Sequence, residues 1–310
     1  MPLDEEMKQI LQLLAPPGAP ALTDLSVAEA RANMGALMAA SPAPEPVGGV
    51  ENRTIPGPAG EIPVRIYAPT RPGPHPVLVY FHGGGWVLCN LDTHDASCRA
   101  LCNQAACVVV SVDYRLAPEH KFPAGLEDCY AATRWVAEHA DEINVDPRRI
   151  AVGGDSAGGN LTACVTQLAR ERGGPRLVHQ LLVYPVTDAR FDTPSYEENA
   201  EGYFLTRDSM KWFWAHYLNG EADAAHPPAS PLRARSFAEL PPATVITAEF
   251  DPLRDEGEAY GRRLQEAGVP TRIERFDGVI HGFFGMGAVI GKARDAVALA
   301  ASELRKAFGR

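Results

Sequence analysis

The chain has 310 residues, 45% of them hydrophobic and 22% charged, a balance ordinary for a soluble globular protein. Its 29 basic residues against 39 acidic ones give a net charge of −10, which argues against general nucleic-acid binding and against docking on anionic membrane surfaces. The six cysteines form no C-x-x-C pair and sit in apolar or helical runs, so buried reduced thiols are expected, not a disulfide framework or a zinc site.

Residues 1–8 are acidic and lack the basic and apolar regions of a secretory signal. No apolar run approaches the roughly 20 residues of a membrane span, so a cytoplasmic location is expected. Residues 4–15 read as a short helix, with Leu11 and Leu14 on one side and Asp4, Glu5 and Glu6 suited to its first turn. Pro16-Pro17-Gly18 ends it. A second helix starts after Ser26 and runs to Met38, and Ser41-Pro42-Ala43-Pro44-Glu45-Pro46 makes a stiff linker. The apolar periodicity of this first part predicts a packed helical flap.

From Val50 the texture turns to strands. Residues 50–55 and 62–68 flank the turn-rich segment 56–60 and read as a hairpin. Residues 77–81 and 108–112 are continuous apolar runs, as in strands buried on both faces of a sheet. Helical character fills 93–106 and 126–138; strands follow at Ile150 and at 181–184. The rhythm then breaks: 188–236 is polar, aromatic and Pro-rich, with a helix expected at 208–218. Strands resume at 244–247 and 271–276, each followed by a helix, at 255–267 and 292–308. Such alternation predicts an α/β fold with a mostly parallel central sheet flanked by helices, its early part antiparallel or mixed.

The stretch Gly153-Gly154-Asp155-Ser156-Ala157-Gly158-Gly159-Asn160 joins an apolar strand to a helix-forming run. A sharp strand-to-helix turn with a serine at its apex needs small residues on both sides. This is the G-x-S-x-G nucleophile elbow, which presents the serine at a helix N-terminus where unpaired N–H groups face developing negative charge. Ser156 then needs a base, and the base needs a third group to orient it. With the acid and then the histidine following the serine in chain order, only His179, His216, His226 and His281 are available. His281 sits after the last strand, where its side chain can reach over the carboxyl ends of the sheet. Glu249, Asp251 and Asp255 all qualify by position as the acid; Asp251 is best placed, beyond the strand and before the helix.

Upstream, Phe81-His82-Gly83-Gly84-Gly85-Trp86 directly follows a buried strand. Its glycines let the backbone approach a substrate, and the amides of Gly83 and Gly84, with that of Ala157, are expected to hold an oxyanion. Neither G-x-G-x-x-G followed by a helix nor G-x-x-x-x-G-K-[ST] is present, so phosphate binding is not expected.

His82-Gly83-Gly84-Gly85-Trp86, Asp113-Tyr114-Arg115-Leu116-Ala117-Pro118-Glu119, Gly154-Asp155-Ser156-Ala157-Gly158-Gly159-Asn160, Asp251-Pro252-Leu253-Arg254-Asp255 and His281-Gly282-Phe283 stand in an order that resembles the hormone-sensitive-lipase-like esterases, the GDSAG branch of the bacterial carboxylesterases. The resemblance covers the chain from about residue 46 onward. It implies an α/β-hydrolase fold whose core, 46–187 and 237–310, carries a helical cap made from residues 1–45 and an insertion at 188–236. It implies Ser156, Asp251 and His281 as a catalytic triad, Gly83, Gly84 and Ala157 as oxyanion hole, and a homodimer, although no sequence feature establishes the dimer. The chemistry is hydrolysis of a small-molecule ester and needs no metal or organic cofactor.

Trp86, Tyr203, Phe204, Phe213, Trp214 and Phe283 are candidates to line an apolar pocket, and together they favour short-to-medium acyl groups. Asp155 is read as a structural hydrogen-bond acceptor beside the elbow, not a second catalytic acid. A non-catalytic ligand-binding protein on this fold, as in the plant gibberellin receptors, lacks the triad histidine, so His281 argues against that reading. Fold and triad do not separate ester from amide hydrolysis.

Overall fold

The computed structural model describes residues 2–16, 18–39 and 45–310. The expected Pro-rich linker falls at 41–44 outside the described residues, as does Pro17.

Eight strands form one sheet: β1 (Gly49–Gly57), β2 (Gly60–Ala68), β3 (His75–Phe81), β4 (Val108–Val112), β5 (Val145–Asp155), β6 (His179–Val183), β7 (Ala243–Phe250) and β8 (Thr271–Ile280). Their order is β1-β2-β4-β3-β5-β6-β7-β8. β1 and β2 are the expected hairpin, and β2 runs antiparallel to β4; every other pairing is parallel. The helices are α1 (Glu5–Leu14), α2 (Val27–Ala39), α3 (Asp95–Ala105), α4 (Ala124–Glu138), α5 (Ala157–Glu171), α6 (Pro194–Glu198), α7 (Arg207–Tyr217), α8 (Glu221–Ala224), α9 (Arg254–Glu266) and α10 (Gly291–Ala307).

β3 explains why its sequence is apolar without interruption. Side chains alternate across a strand, and both faces of this one are covered. Val77, Val79 and Phe81 pack with α4 and α5, whereas Leu78 and Tyr80 pack with α3 and α10. Full burial of such a side chain contributes about 1.5–3 kcal/mol. The six cysteines are all free thiols, as their apolar surroundings suggested.

The parallel strands deliver their carboxyl ends to one edge of the sheet, the usual position of a site in this architecture. The glycine loop follows β3, Ser156 follows β5, Asp251 follows β7 and His281 follows β8. Two expectations need adjustment. Residues 188–236 hold α6, α8 and a 3-10 turn at Pro231–Arg233 besides α7, pieces of 5, 4 and 3 residues that are too short to show a helical period. β8 runs on to Ile280, past the end of the expected strand at 276, because the irregularity between Ala248 and Phe250 restores its pairing with β7.

The N-terminal helices are tied to this body at both ends. Met7 on α1 is fully buried in the cluster of α3 and α10. The Asp4 amide donates to Gly278 O at 2.9 Å and its carboxylate pairs with Lys292 at 2.7 Å. α2 opens on a reciprocal cap: Glu29 N–H donates to Ser26 Oγ at 3.3 Å while Glu29 Oε2 accepts from Ser26 N at 2.9 Å. From α2, Arg31 donates to Val87 O (2.8 Å) and Ala117 O (3.0 Å) and forms a two-pronged pair with Glu119 at 2.7 and 2.8 Å.

Candidate active site

Ser156 occupies the turn between β5 and α5 with φ 56° and ψ −118°. A non-glycine residue held there costs about 1–3 kcal/mol, so the surroundings must impose it. They do. The Ser156 amide donates to Val183 O on β6 at 2.9 Å, and α5 is driven against the end of β3. A Cβ at Gly158 would lie 1.9 Å from Phe81 O, and one at Gly154 would meet the same oxygen at 2.4 Å. The glycines beside the serine are therefore required by close approach, while the serine itself carries the unusual backbone.

His281 Nε2 lies 3.0 Å from Ser156 Oγ, and His281 Nδ1 lies 2.7 Å from Asp251 Oδ2. Asp251 is fully buried and its other oxygen accepts from Leu253 N at 2.8 Å. With one ring nitrogen donating to the carboxylate, the other presents its lone pair to the serine hydroxyl. The Tyr184 ring packs on the imidazole at a centroid distance of 4.5 Å and fixes its plane. The alternative acids are engaged elsewhere: Asp255 accepts from Ser195 N and Arg254, and Glu249 accepts from Gly278 N. Of the other candidate bases, His179 lies inside β6 against Thr244 and His216 bonds the Trp212 carbonyl on α7.

The glycine loop departs from expectation at Gly83. Its N–H donates to the Asp155 carboxylate at 3.1 Å, with His94 Nε2 at 3.2 Å, so this amide is not free to receive an oxyanion. Gly84 and Gly85, not Gly83, line the cavity beside Ser156. Neither of their N–H groups, nor that of Ala157 at the start of α5, has an acceptor among the described residues. Gly84 has φ 106°, a conformation that favours glycine.

The loop is braced from behind. His82 is fully buried, donates from Nδ1 to Gly83 O at 2.7 Å, and stacks on Tyr114 at 4.4 Å. Tyr114 OH in turn donates to His82 O at 2.8 Å. Burial, reinforced by the neighbouring His94, pushes the His82 imidazole down to about 3, so it stays neutral.

A cavity of about 860 Å³ opens over Ser156 and His281, within the range that holds small-molecule ligands. Its walls come from residues 14–37, from the glycine loop, and from the insertion through Phe204, Leu205, Met210 and Phe213. Of the six aromatic candidates only Phe204 and Phe213 line it. Trp86 lies stacked on Tyr217 at 4.2 Å with Trp214 beside it at 4.7 Å, Phe283 packs on Phe276, and Tyr203 on Phe250. The hydrophobic gain of filling the core took Trp86, Trp214 and Phe283, while Tyr203 stays half-buried. Sequence reasoning passed over Gly85, Tyr184 and His94. The third glycine of the run was the available signal for the first; nothing local marked the other two.

A doubly wound α/β body with a strained serine at the strand-to-helix turn, and a histidine and buried carboxylate aligned on it, defines the α/β-hydrolase class. A family model described as "alpha/beta hydrolase fold" matches residues 78–285. The chain is 48% identical over 269 residues to the carboxylic ester hydrolase LipN of Mycobacterium tuberculosis (strain ATCC 25618 / H37Rv), covering 85% of this chain and 72% of that protein. It is 40% identical over 251 residues to an ethyl acetate hydrolase of Pseudomonas putida, covering 79% and 78%. An ester-hydrolase from the metagenome of Lake Arreo, solved with a derivative of bipyridine phosphonate, superposes with TM-score 0.95 at 42% identity over 99% of this chain and 100% of that one. The chain belongs to the α/β-hydrolase family, in its hormone-sensitive-lipase-like branch.

Proposed function

We propose that this protein is a serine carboxylesterase acting on short-to-medium acyl esters of small molecules. The observation that carries the reading is the unbroken chain Asp251–His281–Ser156, at 2.7 and 3.0 Å, opening on an apolar cavity.

His281 Nε2 takes the hydroxyl proton as Ser156 Oγ attacks the ester carbonyl. The N–H groups of Gly84, Gly85 and Ala157 hold the resulting oxyanion, and each such donor lowers the barrier by about 2.7–4 kcal/mol. His281 then gives the proton to the departing alkoxide, leaving an acyl-serine. Water, deprotonated by His281, repeats the sequence and frees the acid. Asp251 fixes the tautomer and stabilises the transient imidazolium.

Residues 1–45 and 188–236 act as a cap over the core segments 46–187 and 237–310. Both contribute walls to the cavity while the reacting groups come from the core. Short acyl groups are supported by the relative named for ethyl acetate hydrolysis. No lysine or arginine lines the cavity among the described residues, which suits uncharged acyl chains.

The test is Ser156→Ala against a panel of acetyl, butyryl, octanoyl and palmitoyl esters. The variant is expected to fold normally and lose at least ~10⁴-fold in turnover. It also loses labelling by a fluorophosphonate. Retained turnover overturns the nucleophile, and a wild-type maximum at palmitoyl overturns the chain-length preference.

A further inference from the structure

The turn that carries Asp251, residues 251–256, is gripped by a part of the chain that the mechanism above leaves idle. Ser195 on α6 donates from Oγ to Pro252 O at 2.7 Å and accepts Asp255 N–H at 3.2 Å. In return, Asp255 Oδ2 accepts Ser195 N–H at 2.8 Å. Each side chain thus bonds the backbone amide of the other, a reciprocal clasp between α6 and the start of α9. Thr193 Oγ1 lies 3.1 Å from Ser195 Oγ, whose own hydrogen is committed to Pro252, so Thr193 is the donor there. Ser195 is fully buried, and the one donor and two acceptor positions of its hydroxyl are all filled.

Further bonds run between the same two parts. Asn199, which ends α6, donates from Nδ2 to Asp251 O at 3.4 Å. Arg254 joins Glu198 on α6 (2.7 Å) to Asp255 (2.8 Å) and to Glu249 O near the end of β7 (3.1 Å). Buried Glu256 accepts Thr187 N–H at 2.6 Å and Asp188 N–H at 3.2 Å, where the chain leaves β6 for the insertion. Burial raises the Asp255 carboxyl, but Arg254 and the bonds from Ser195 outweigh it and keep the group ionised.

Asp251 presents Oδ2 to His281 at 2.7 Å and Oδ1 to Leu253 N at 2.8 Å, so its orientation follows the backbone of this turn. On the other side, the residues just after Asn199 reach the cavity, where Ala200, Glu201, Phe204 and Leu205 form part of the wall. α6 therefore stands between the chamber wall and the acid of the triad.

We infer that Ser195 and Asp255 are positioning residues that fasten the insertion to the Asp251 turn, making the insertion a splint for the acid as well as a wall of the cavity. Without the clasp the turn shifts and the Asp251 carboxylate leaves its line with His281 Nδ1. The imidazole is then held less firmly for proton transfer from Ser156. The loss falls mainly on kcat, because the apolar walls still hold the substrate.

The catalytic meaning rests on the esterase reading, so the first readout needs no substrate. In wild type the His281 Nδ1 proton is expected as a ¹H resonance far downfield of the backbone amides, identified by its absence in His281→Gln. Ser195→Ala and Asp255→Ala are each expected to move it upfield. Each is also expected to lower kcat for a butyryl ester by ~10–100-fold, with KM changed less than about threefold. Together they are expected to cost no more than the larger loss alone, since both open one clasp. Ser230→Ala removes another buried serine bond of the insertion, to Ala224 O at 2.8 Å, and is expected to leave the resonance and kcat in place. A resonance and kcat unmoved by Ser195→Ala and Asp255→Ala, or moved as far by Ser230→Ala, overturns the inference, as does a wild type without that resonance. Should one clasp variant fail to fold, the other decides. A resonance displaced as expected in a protein that turns over no ester keeps the clasp and rejects the esterase reading instead.

Discussion

Ser156 holds a backbone that only the packing around it sustains, and the residues that impose it are as specific as the serine. Gly158 is fixed by the Phe81 carbonyl and Gly84 by its own positive φ. Asp251 is the most deeply placed of the reacting groups, with both oxygens bonded. Replacing it by Asn puts an amide opposite His281 Nδ1 and favours the tautomer whose Nε2 bears a proton and accepts none. Asp251→Asn is therefore expected to lower kcat by about 10³–10⁴-fold with KM little changed, measured on a butyryl ester; a loss below tenfold would remove Asp251 from the proposed triad. Ser156, Asp251 and His281 were legible from order and texture because each terminates a strand. Which two glycines of the run line the cavity beside Ser156 was not. That choice is made by Asp155, 72 positions away in the chain, whose bond to Gly83 no local pattern announces.

At the scale of elements, α2 is the piece whose attachment is most clearly made of a few bonds. Arg31 reaches the loop after the glycine run through Val87 O and the turn at Ala117 and Glu119, and its guanidinium holds the Glu119 carboxyl down to about 2. Arg31→Met keeps the apolar stem and removes these bonds. It is expected to cost about 1–2 kcal/mol in urea unfolding, Glu119 being half exposed, and to raise KM for octanoyl esters more than for acetyl ones. An unchanged KM ratio would show that α2 does not shape the cavity. The long elements were readable because strands buried on both faces stay apolar throughout and the longer helices carry a period. The short helices of the insertion were not, since one turn presents no repeat. The aromatic residues misled for a related reason: hydrophobicity predicts burial, not which side of a wall a ring occupies, and Trp86 and Trp214 went inward.

For the molecule as a whole, acid is a threat to stability through its buried neutral histidines. Burial depresses His179 to about 4, against 6.5 when unfolded. Below 6.5 the unfolded chain takes up a proton that the folded one refuses, so this stabilising contribution is complete above pH 6.5 and is lost as pH falls toward 4. His179→Gln removes the titration and leaves a polar partner for Thr244. The stability of wild type relative to this variant is expected to drop by roughly 2–3 kcal/mol between pH 7 and pH 4.5, in paired urea titrations. A pH-independent difference would mean that folding leaves the proton affinity of His179 unchanged.

The segment between the two anchors of the N-terminal arm, Asp4 with Lys292 and Arg31 with Glu119, supplies a wall to the chamber and none of the atoms that break bonds. The arm thus bounds the space over Ser156 while standing apart from the hydrogen-bonded line Asp251–His281–Ser156, so a change confined to it alters the enclosure and leaves that line in place.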